Sequence, residues 1–233
     1  GQPDLHLPIH LHETQDESQQ SLDQYHLRPA QRLQNLGLLG PNLIAVHAVH
    51  VDAKEVNILA NTKTWVAHQP RSNMNNAVGI GNVESMMRAG VKVCLGNDGF
   101  SNTMWDEWKT TYLVHKLVNL DPRKMGGYDV VEMAIYQNSA LASQQFNLPI
   151  GSIEPGAQAD IIFVDYLPYT DINSGNLPWH ILFGMHHSMV TMTMVAGKIL
   201  MKDKDLVNID ERKIFSDAYQ LHKRVWDRYK NQF

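Results

Sequence analysis

Histidine and acidic residues stand at the ends of several short apolar segments of this chain. The side chains concerned are His10, Glu13, His47, His68 and Asp98. Imidazole and carboxylate groups are ligands for zinc or another divalent transition metal. A bound cation of this kind lowers the pKa of its water toward about 7, and a nearby carboxylate can then move protons to a leaving group. The residue types therefore indicate hydrolysis assisted by a metal.

The first of these segments contains two histidines, and spacing does not decide which one is the ligand. In an extended strand, residues i and i+2 share a face, so His10 and His12 would point the same way. Glu13 lies three residues after His10, where we expect the strand to have ended and the chain to have turned. Either imidazole is therefore a candidate at this stage.

Short buried strands alternating with helices are expected to position these side chains. Residues 43–46 form a compact apolar run that predicts a strand ending at His47, and Asp52 suits the N-cap of the helix that follows. The rhythm of strand and helix predicts a parallel sheet with helical crossovers. In βα architectures the carboxyl ends of the strands share one face, so residues far apart in sequence meet there.

Other segments are assigned from periodicity and turn residues. One helix is predicted over residues 24–39, and the Ser-, Asn- and Gly-rich stretch 71–81 is predicted to be a loop. After Pro149 the pattern changes to a strand near 159–165 and a β-hairpin around Gly197. A charged amphipathic helix is predicted to close the chain.

Composition indicates a folded protein and gives no signal for nucleic-acid or membrane partners. The 233 residues are 43% hydrophobic and 19% charged, which is typical of globular chains. The formal net charge is -4 without a basic stripe, so no electrostatic footprint for nucleic acid is present. No apolar run approaches the roughly 20 residues of a membrane span. The single cysteine, Cys94, excludes an internal disulfide framework and favours a cytoplasmic location.

Four motifs, in order along the chain, resemble the amidohydrolase superfamily in its cytosine-deaminase and chlorohydrolase branch. They are IHLHET at residues 9–14 for the H-x-x-E-T element, HAVH at 47–50 for the H-x-x-H segment, HQPRSN at 68–73 for the H-N-P-x-S-N loop, and LGNDG at 95–99 for the L-G-T-D-G strand end. The string SNMNNAVG at 72–79 is especially similar to the SsnA-type aminohydrolases, a group linked to selenium metabolism.

The resemblance implies a role for each catalytic position. His10 would be a metal ligand, because it is the histidine three residues before Glu13. Glu13 would be the proton shuttle that touches the substrate, and His47 would orient the attacking water or the substrate. Asp98 would bind the metal and accept a proton from the water.

The resemblance also implies substrate-binding residues. His68 would contact the substrate or support the site, with stabilisation of the Asn-rich turn as the alternative. Asn73 would bind substrate, with satisfaction of backbone groups in its own loop as the alternative. Asn97 and Gln69 stand where the family usually has Thr and Asn. We expect these two polar replacements to alter supporting hydrogen bonds without removing a ligand.

The fold implied by the resemblance is the C-terminal half of a (β/α)8 barrel in the α/β class. Residues 1–150 would be the second half of the barrel, 151–207 the C-terminal part of a small β-sandwich domain, and 208–233 a terminal helix. A complete barrel takes roughly 250 residues, and the H-x-H pair of the family's first barrel strand is not in this chain. We therefore expect a part of a longer protein that, alone, binds metal weakly and is inactive.

The leading hypothesis is hydrolytic deamination of a heterocyclic or amidine-like small molecule at a non-peptide C–N bond. One divalent metal is expected, zinc first, while iron and manganese stay open because nitrogen and oxygen ligands admit all three. A ring chlorohydrolase or cyclic-amide hydrolase would use the same site. A catalytically incomplete binding or oligomerisation module is the non-enzymatic alternative, and a homo-oligomer of the longer protein is left open.

Overall fold

The structure, a computed structural model, describes residues 6–232, which divide into two compact units. The first unit extends to Ala157 and also includes Tyr166–His187. The second comprises Gln158–Asp165 and the chain from Ser188 onward. Part of the predicted β-domain range 151–207 therefore groups with the first unit.

A parallel sheet is the framework of the first unit. In residues 6–232 this sheet has four strands in the order β1-β2-β3-β4, and each neighbouring pair is parallel. The strands are β1 (Leu7–Leu11), β2 (Leu43–His47), β3 (Trp65–His68) and β4 (Val93–Leu95). The parallel sheet predicted from the sequence is thus confirmed.

Helices connect these strands and continue after the last of them. They are α1 (Gln15–Tyr25), α2 (Pro29–Asn35), α3 (Ala53–Thr62), α4 (Pro70–Asn75), α5 (Val83–Arg88), α6 (Met104–Asn119), α7 (Gly127–Val131), α8 (Asn138–Phe146) and α9 (Leu177–Trp179). A π-helical segment, Glu132–Gln137, joins α7 to α8, and a second one, His180–Gly184, follows α9. The mixed α/β class expected from the sequence is observed.

The start of α3 follows the sequence prediction closely. The Asp52 side chain accepts a hydrogen bond from the Glu55 N–H at 2.9 Å, and the Glu55 carboxylate accepts one from the Asp52 N–H at 3.2 Å. This reciprocal capping box satisfies two backbone donors that a helix start leaves without intrahelical partners.

Two predicted elements were wrong. The single helix predicted over residues 24–39 is two helices, because His26 adopts a left-handed conformation (φ 55°) that ends α1, and Pro29 begins α2 in its first turn. The loop predicted over 71–81 begins with helix α4, which Pro70 also starts. Three of its polar side chains, those of Ser72, Asn73 and Asn76, bond to residues distant in sequence.

The sheet is most deeply buried at its third and fourth strands. Every residue of β3 and β4 is buried, whereas β1 is largely exposed, with Leu7 56% accessible. Burial on both faces is typical of parallel strands covered by helices. The core cluster includes Leu11, Leu59 and Val66, so β1, α3 and β3 share one apolar interior.

A buried polar network ties the end of β1 to α3. The fully buried Glu55 Oε1 lies 2.6 Å from His12 Nε2, and Arg28 Nε donates to Glu55 Oε2 at 2.7 Å. His12 Nδ1 lies 2.6 Å from Ser18 Oγ. Burial raises the pKa of Glu55, but the hydrogen bonds with His12 and Arg28 outweigh burial and leave that pKa below its ordinary value.

The second unit is an antiparallel sheet followed by a helix. Its strands are β5 (Ile161–Val164), β6 (Val190–Val195), β7 (Lys198–Lys202) and β8 (Asp205–Leu206), and the helix is α10 (Glu211–Lys230). The predicted hairpin is confirmed, with Gly197 (φ +75°) in the left-handed turn between β6 and β7. Within residues 6–232, no helix has both the length and the apolarity to cross a bilayer.

Removal of the Glu55 carboxylate should destabilise the first unit. We expect Glu55→Ala to cost about 3 kcal/mol or more, because it leaves buried partners of the carboxylate without their counter-charge. The measurement is the urea midpoint of unfolding followed by tryptophan fluorescence. The matched control is Asp217→Ala, which breaks the exposed Lys213–Asp217 pair (2.8 Å) and should cost less than about 0.5 kcal/mol. Equal losses in the two variants would contradict the expectation.

Candidate active site

Four of the predicted site residues meet at the carboxyl edge of the parallel sheet. His47 Nε2 lies 3.6 Å from Glu13 Oε2 and 3.7 Å from Asp98 Oδ2. The ring of His10 stacks on that of His47, with centroids 5.3 Å apart and an interplanar angle of 21°. These residues come from the ends of β1, β2 and β4, so the parallel arrangement brings together groups that are as far as 88 residues apart in the chain.

The backbone turns sharply where these strands end. His12 (φ 53°), His47 (φ 73°) and Asp98 (φ 50°) all adopt the left-handed conformation, which non-glycine residues rarely take. Each such residue costs about 1 kcal/mol or more, and such residues cluster at functional sites. At this edge the backbone therefore departs from its local preference at three positions.

His47 is the centre of the cluster. It is 1% exposed, and its Nδ1–H donates to Asn73 Oδ1 at 2.9 Å. Its Nε2 is buried and has no hydrogen-bond partner among residues 6–232. The distances from Nε2 to Glu13 and Asp98 are too long for direct hydrogen bonds. The Asn73 contact therefore orients the ring so that Nε2 faces both carboxylates.

Asp98 is held in its ionised form. Ser72 Oγ donates to Asp98 Oδ2 at 2.7 Å. This hydrogen bond, opposed by partial burial and assisted by the Gly99 N–H and by His47, holds the pKa of Asp98 below its usual range. An ionised carboxylate is the form that binds a metal.

Glu13 is held at the C-terminal end of α4. Its Oε1 accepts a hydrogen bond from Asn76 Nδ2 at 3.1 Å, while its Oε2 is the oxygen that faces His47. The side chain is 25% exposed. One carboxylate oxygen is thus anchored, and the other is directed into the cluster.

His68 lies beneath the surface of the cluster. It is fully buried, and its Nε2 lies 3.1 Å from the Nε2 of His115 on α6. Burial, together with His115 and His47, depresses the pKa of His68 well below its ordinary value, so the ring is neutral at neutral pH. Its Nδ1 is buried and has no hydrogen-bond partner within the described part of the chain.

The structure distinguishes His10 from His12. Both ring nitrogens of His12 are engaged, with Ser18 and Glu55, in the buried network below the edge. His10 is exposed and stacks on His47. Of the two histidines, His10 is therefore the one whose ring faces the cluster.

Three residues around the cluster were not predicted as site residues. Ser72 stands in the H-N-P-x-S-N motif, which was a signal that could have identified it. Asn76 belongs to a stretch that was predicted to be a loop. His115 lies on a regular helix, and its contact with His68 joins residues 47 positions apart, which no local pattern reveals.

The donors present are of the right chemical type for a metal but are few. His10 supplies an imidazole and Asp98 an ionised carboxylate, and both are zinc ligands in proteins. Among residues 6–232, no group of three or more His, Cys, Asp or Glu side chains is arranged to hold a metal ion. Zinc sites use three or four protein ligands. The described residues can therefore supply some, but not all, of the ligands of a metal site.

Comparison with known protein families identifies the family of this chain. The profile of the Amidohydrolase family matches residues 2–200. The chain belongs to the amidohydrolase family. This confirms the superfamily inferred from the four motifs, while the finer similarity to the SsnA-type group stays a prediction.

The amidohydrolase relatives include curated deaminases. The chain is 34% identical over 215 residues to the 5-methylthioadenosine/S-adenosylhomocysteine deaminase of Haloarcula marismortui, covering 91% of this chain and 49% of the relative. It is 33% identical over 224 residues to the 5'-deoxyadenosine deaminase of Methanopyrus kandleri, covering 94% and 51%. The chain thus spans about half the length of the curated relatives it matches.

Solved structures show the same fold. An adenosine deaminase from Xanthomonas campestris with bound zinc superposes with a TM-score of 0.84 at 28% identity, over 96% of this chain and 52% of the other. The atrazine chlorohydrolase TrzN from Arthrobacter aurescens, complexed with zinc, gives 0.76 at 20% identity, over 94% and 49%. At 20% identity, the similarity to TrzN shows a shared fold and nothing more.

Loss of the Ser72 hydroxyl should change the ionisation of Asp98. Because the Ser72 hydrogen bond is the largest cause of the lowered pKa, we expect Ser72→Ala to raise the pKa of Asp98 toward its ordinary value. The measurement is the carboxyl ¹³C shift of Asp98 as a function of pH. Ser85→Ala, which removes the hydroxyl bonded to Arg88 (3.0 Å), is the control and should leave Asp98 unchanged. An unaltered Asp98 titration in Ser72→Ala would refute the assigned cause.

Proposed function

We propose that this chain is the C-terminal part of a metal-dependent amidohydrolase that hydrolytically deaminates a small heterocyclic or amidine-like molecule. The main support for the proposal is the position of His47 Nε2, which is buried between the carboxylates of Glu13 and Asp98. Such a group of proton donors and acceptors suits the addition of water to a C–N bond with release of ammonia. The curated relatives named as deaminases support the choice of bond.

The finer fold is part of the proposal. We propose that residues 1–150 form the second half of a (β/α)8 barrel, 151–207 a segment of a small β-domain, and 208–233 a terminal helix. Four parallel strands in residues 6–232 are half of the eight in a complete barrel. The grouping of Tyr166–His187 with the first unit indicates that the β-domain range is interrupted.

The metal would be held by His10 and Asp98 together with ligands from outside residues 6–232. When bound, it would lower the pKa of a water molecule so that water can attack at neutral pH. Zinc is the first expectation, supported by the zinc in the Xanthomonas campestris adenosine deaminase, and iron and manganese are the alternatives.

The catalytic side chains would divide the movement of protons. Asp98, held ionised by Ser72, would accept a proton from the attacking water. His47 would orient that water or the substrate through Nε2, since Asn73 fixes its other nitrogen. Glu13, whose Oε2 faces the same space, would deliver a proton to the leaving amine.

His68 and Asn73 would bind substrate or support the groups that do. Each has one buried polar atom, His68 Nδ1 and Asn73 Nδ2, that lacks a hydrogen-bond partner among residues 6–232. A buried donor or acceptor left unpaired costs roughly 1–3 kcal/mol. Pairing of these atoms with substrate, directly or through water, would remove that cost.

The substrate class to test first is that of the relatives, the adenosine derivatives. A cytoplasmic location is proposed as well, supported by one buried free cysteine, Cys94, among the described residues. Ring dechlorination or cyclic-amide hydrolysis on the same site is the second candidate.

Replacement of the proposed proton shuttle should stop turnover and spare the metal. We expect Glu13→Gln in the complete zinc-loaded protein to lower kcat by about 10²–10⁴, the usual contribution of a general acid. Ammonia release gives kcat, and atomic absorption gives the metal content. The control Glu154→Gln changes an exposed glutamate that accepts from Ser152 (2.8 Å) and should retain full activity. Wild-type turnover in Glu13→Gln would refute the role.

Metal dependence and the choice of bond are tested together. We expect the complete protein to release ammonia from adenosine, 5'-deoxyadenosine, 5-methylthioadenosine or S-adenosylhomocysteine. Chelation should abolish this activity and added zinc should restore it, whereas chloride release from atrazine would favour the second candidate. Turnover of the same substrates that survives complete metal removal would exclude the mechanism. The 233 residues alone should be inactive, because the described part supplies too few metal donors.

A further inference from the structure

Three consecutive residues of α4 reach three different parts of the site. Ser72 donates to Asp98, and Asn73 accepts from His47, as described above. Arg71, the residue before them, points to the loop that follows Asp98 and to α6. The position of this short helix therefore affects a carboxylate and an imidazole of the cluster at the same time.

A buried ion pair anchors α4 to α6. Glu107, in the first turn of α6, is fully buried, and Arg71 Nε donates to its Oε1 at 2.5 Å. The backbone N–H of Arg71 donates to the other oxygen, Oε2, at 3.3 Å. Burial raises the pKa of Glu107, and the contacts with Arg71 oppose that effect. The carboxylate thus depends on Arg71 for its main counter-charge.

The same guanidinium holds the loop between β4 and α6. Arg71 Nη1 donates to Ser101 Oγ at 3.1 Å, and Nη2 donates to the carbonyl oxygen of Ser101 at 2.8 Å. Nη2 also lies 3.5 Å from the carbonyl oxygen of Thr103, and the ring centroid of Phe100 lies 5.2 Å from the guanidinium carbon. Residues 99–103 are therefore linked to α4 through one side chain.

We propose that Arg71 and Glu107 are positioning residues of the active site. By fixing α4 between α6 and the loop 99–103, they keep Ser72 on Asp98 and Asn73 on His47. The effect on turnover that we expect from this positioning rests on the proposed function. Lysine cannot replace Arg71, because one ammonium group cannot reach the Glu107 carboxylate and two loop carbonyls in this planar arrangement.

A purely structural role for the pair makes a different prediction, which a double variant reveals. Arg71→Met leaves the buried Glu107 carboxylate without its partner and should lower thermal stability. Arg71→Met combined with Glu107→Gln removes that unpaired charge and should recover most of the stability. The links to Ser101 and Thr103 stay broken in both variants, so α4 and the loop stay loose.

The kinetic test uses the complete zinc-loaded protein. We expect Arg71→Met and the double variant both to lower kcat about 100-fold with KM changed less than about threefold, because loss of catalytic geometry acts on the chemical step. Arg71→Lys should lie between wild type and Arg71→Met. Arg123→Met, which breaks the exposed pair with Asp121 (3.0 Å), is the control and should keep wild-type kinetics. Recovery of kcat together with stability in the double variant would overturn the proposal.

Hydrogen–deuterium exchange tests the positioning without any substrate. The backbone amides of residues 99–103 and of α4 should exchange faster in Arg71→Met and in the double variant than in the wild-type protein. Their exchange rates should be unchanged in Arg123→Met. Unaltered exchange in the first two variants would overturn the proposal. If the wild-type protein deaminates none of the substrates, the proposed function fails while the exchange result still decides the positioning role, so the two failures are distinguishable.

Discussion

His47 Nε2 lies buried within 3.6 Å of Glu13 Oε2 and 3.7 Å of Asp98 Oδ2, so a single imidazole nitrogen faces two carboxylates. Asn73 holds the ring in this orientation by accepting a hydrogen bond from its other nitrogen. Both carboxylates reach this nitrogen because parallel strands end along one edge of the sheet. The site therefore depends on the register of β1, β2 and β4, and on whatever holds those strand ends still.

Buried polar networks hold the strand ends from two directions. Below β1, Glu55 fixes His12 and Arg28, so the residue before Glu13 cannot turn freely. Beside β4, Ser72 fixes Asp98. These contacts offset the strain of the left-handed backbone at His12 and Asp98, which an unsupported chain would relieve. Side-chain hydrogen bonds thus support the strand ends in addition to the sheet itself.

The parallel strands were predictable from sequence, because apolar runs mark buried strands, and the convergence of His10, Glu13, His47 and Asp98 followed from their places at the strand ends. The helix α4 was not predictable. Ser and Asn favour turns by bonding to nearby backbone, and in α4 tertiary contacts with His47 and Asp98 override that tendency. Likewise, only the folded chain shows that both ring nitrogens of His12 are engaged, which separates it from His10.

The two carboxylates beside His47 differ in what donates to them, and this difference supports the separate roles proposed for them. Asp98 accepts from a hydroxyl and a backbone N–H, and these donors stabilise its charged form, as a metal ligand requires. Glu13 accepts from the amide of Asn76 through one oxygen and directs the other toward His47. The second oxygen of Glu13 therefore stays available to a substrate, whereas Oδ2 of Asp98 already accepts from Ser72. The hydrogen bonds around the site thus treat the two carboxylates differently, and the proposed division into metal ligand and proton shuttle would use that difference.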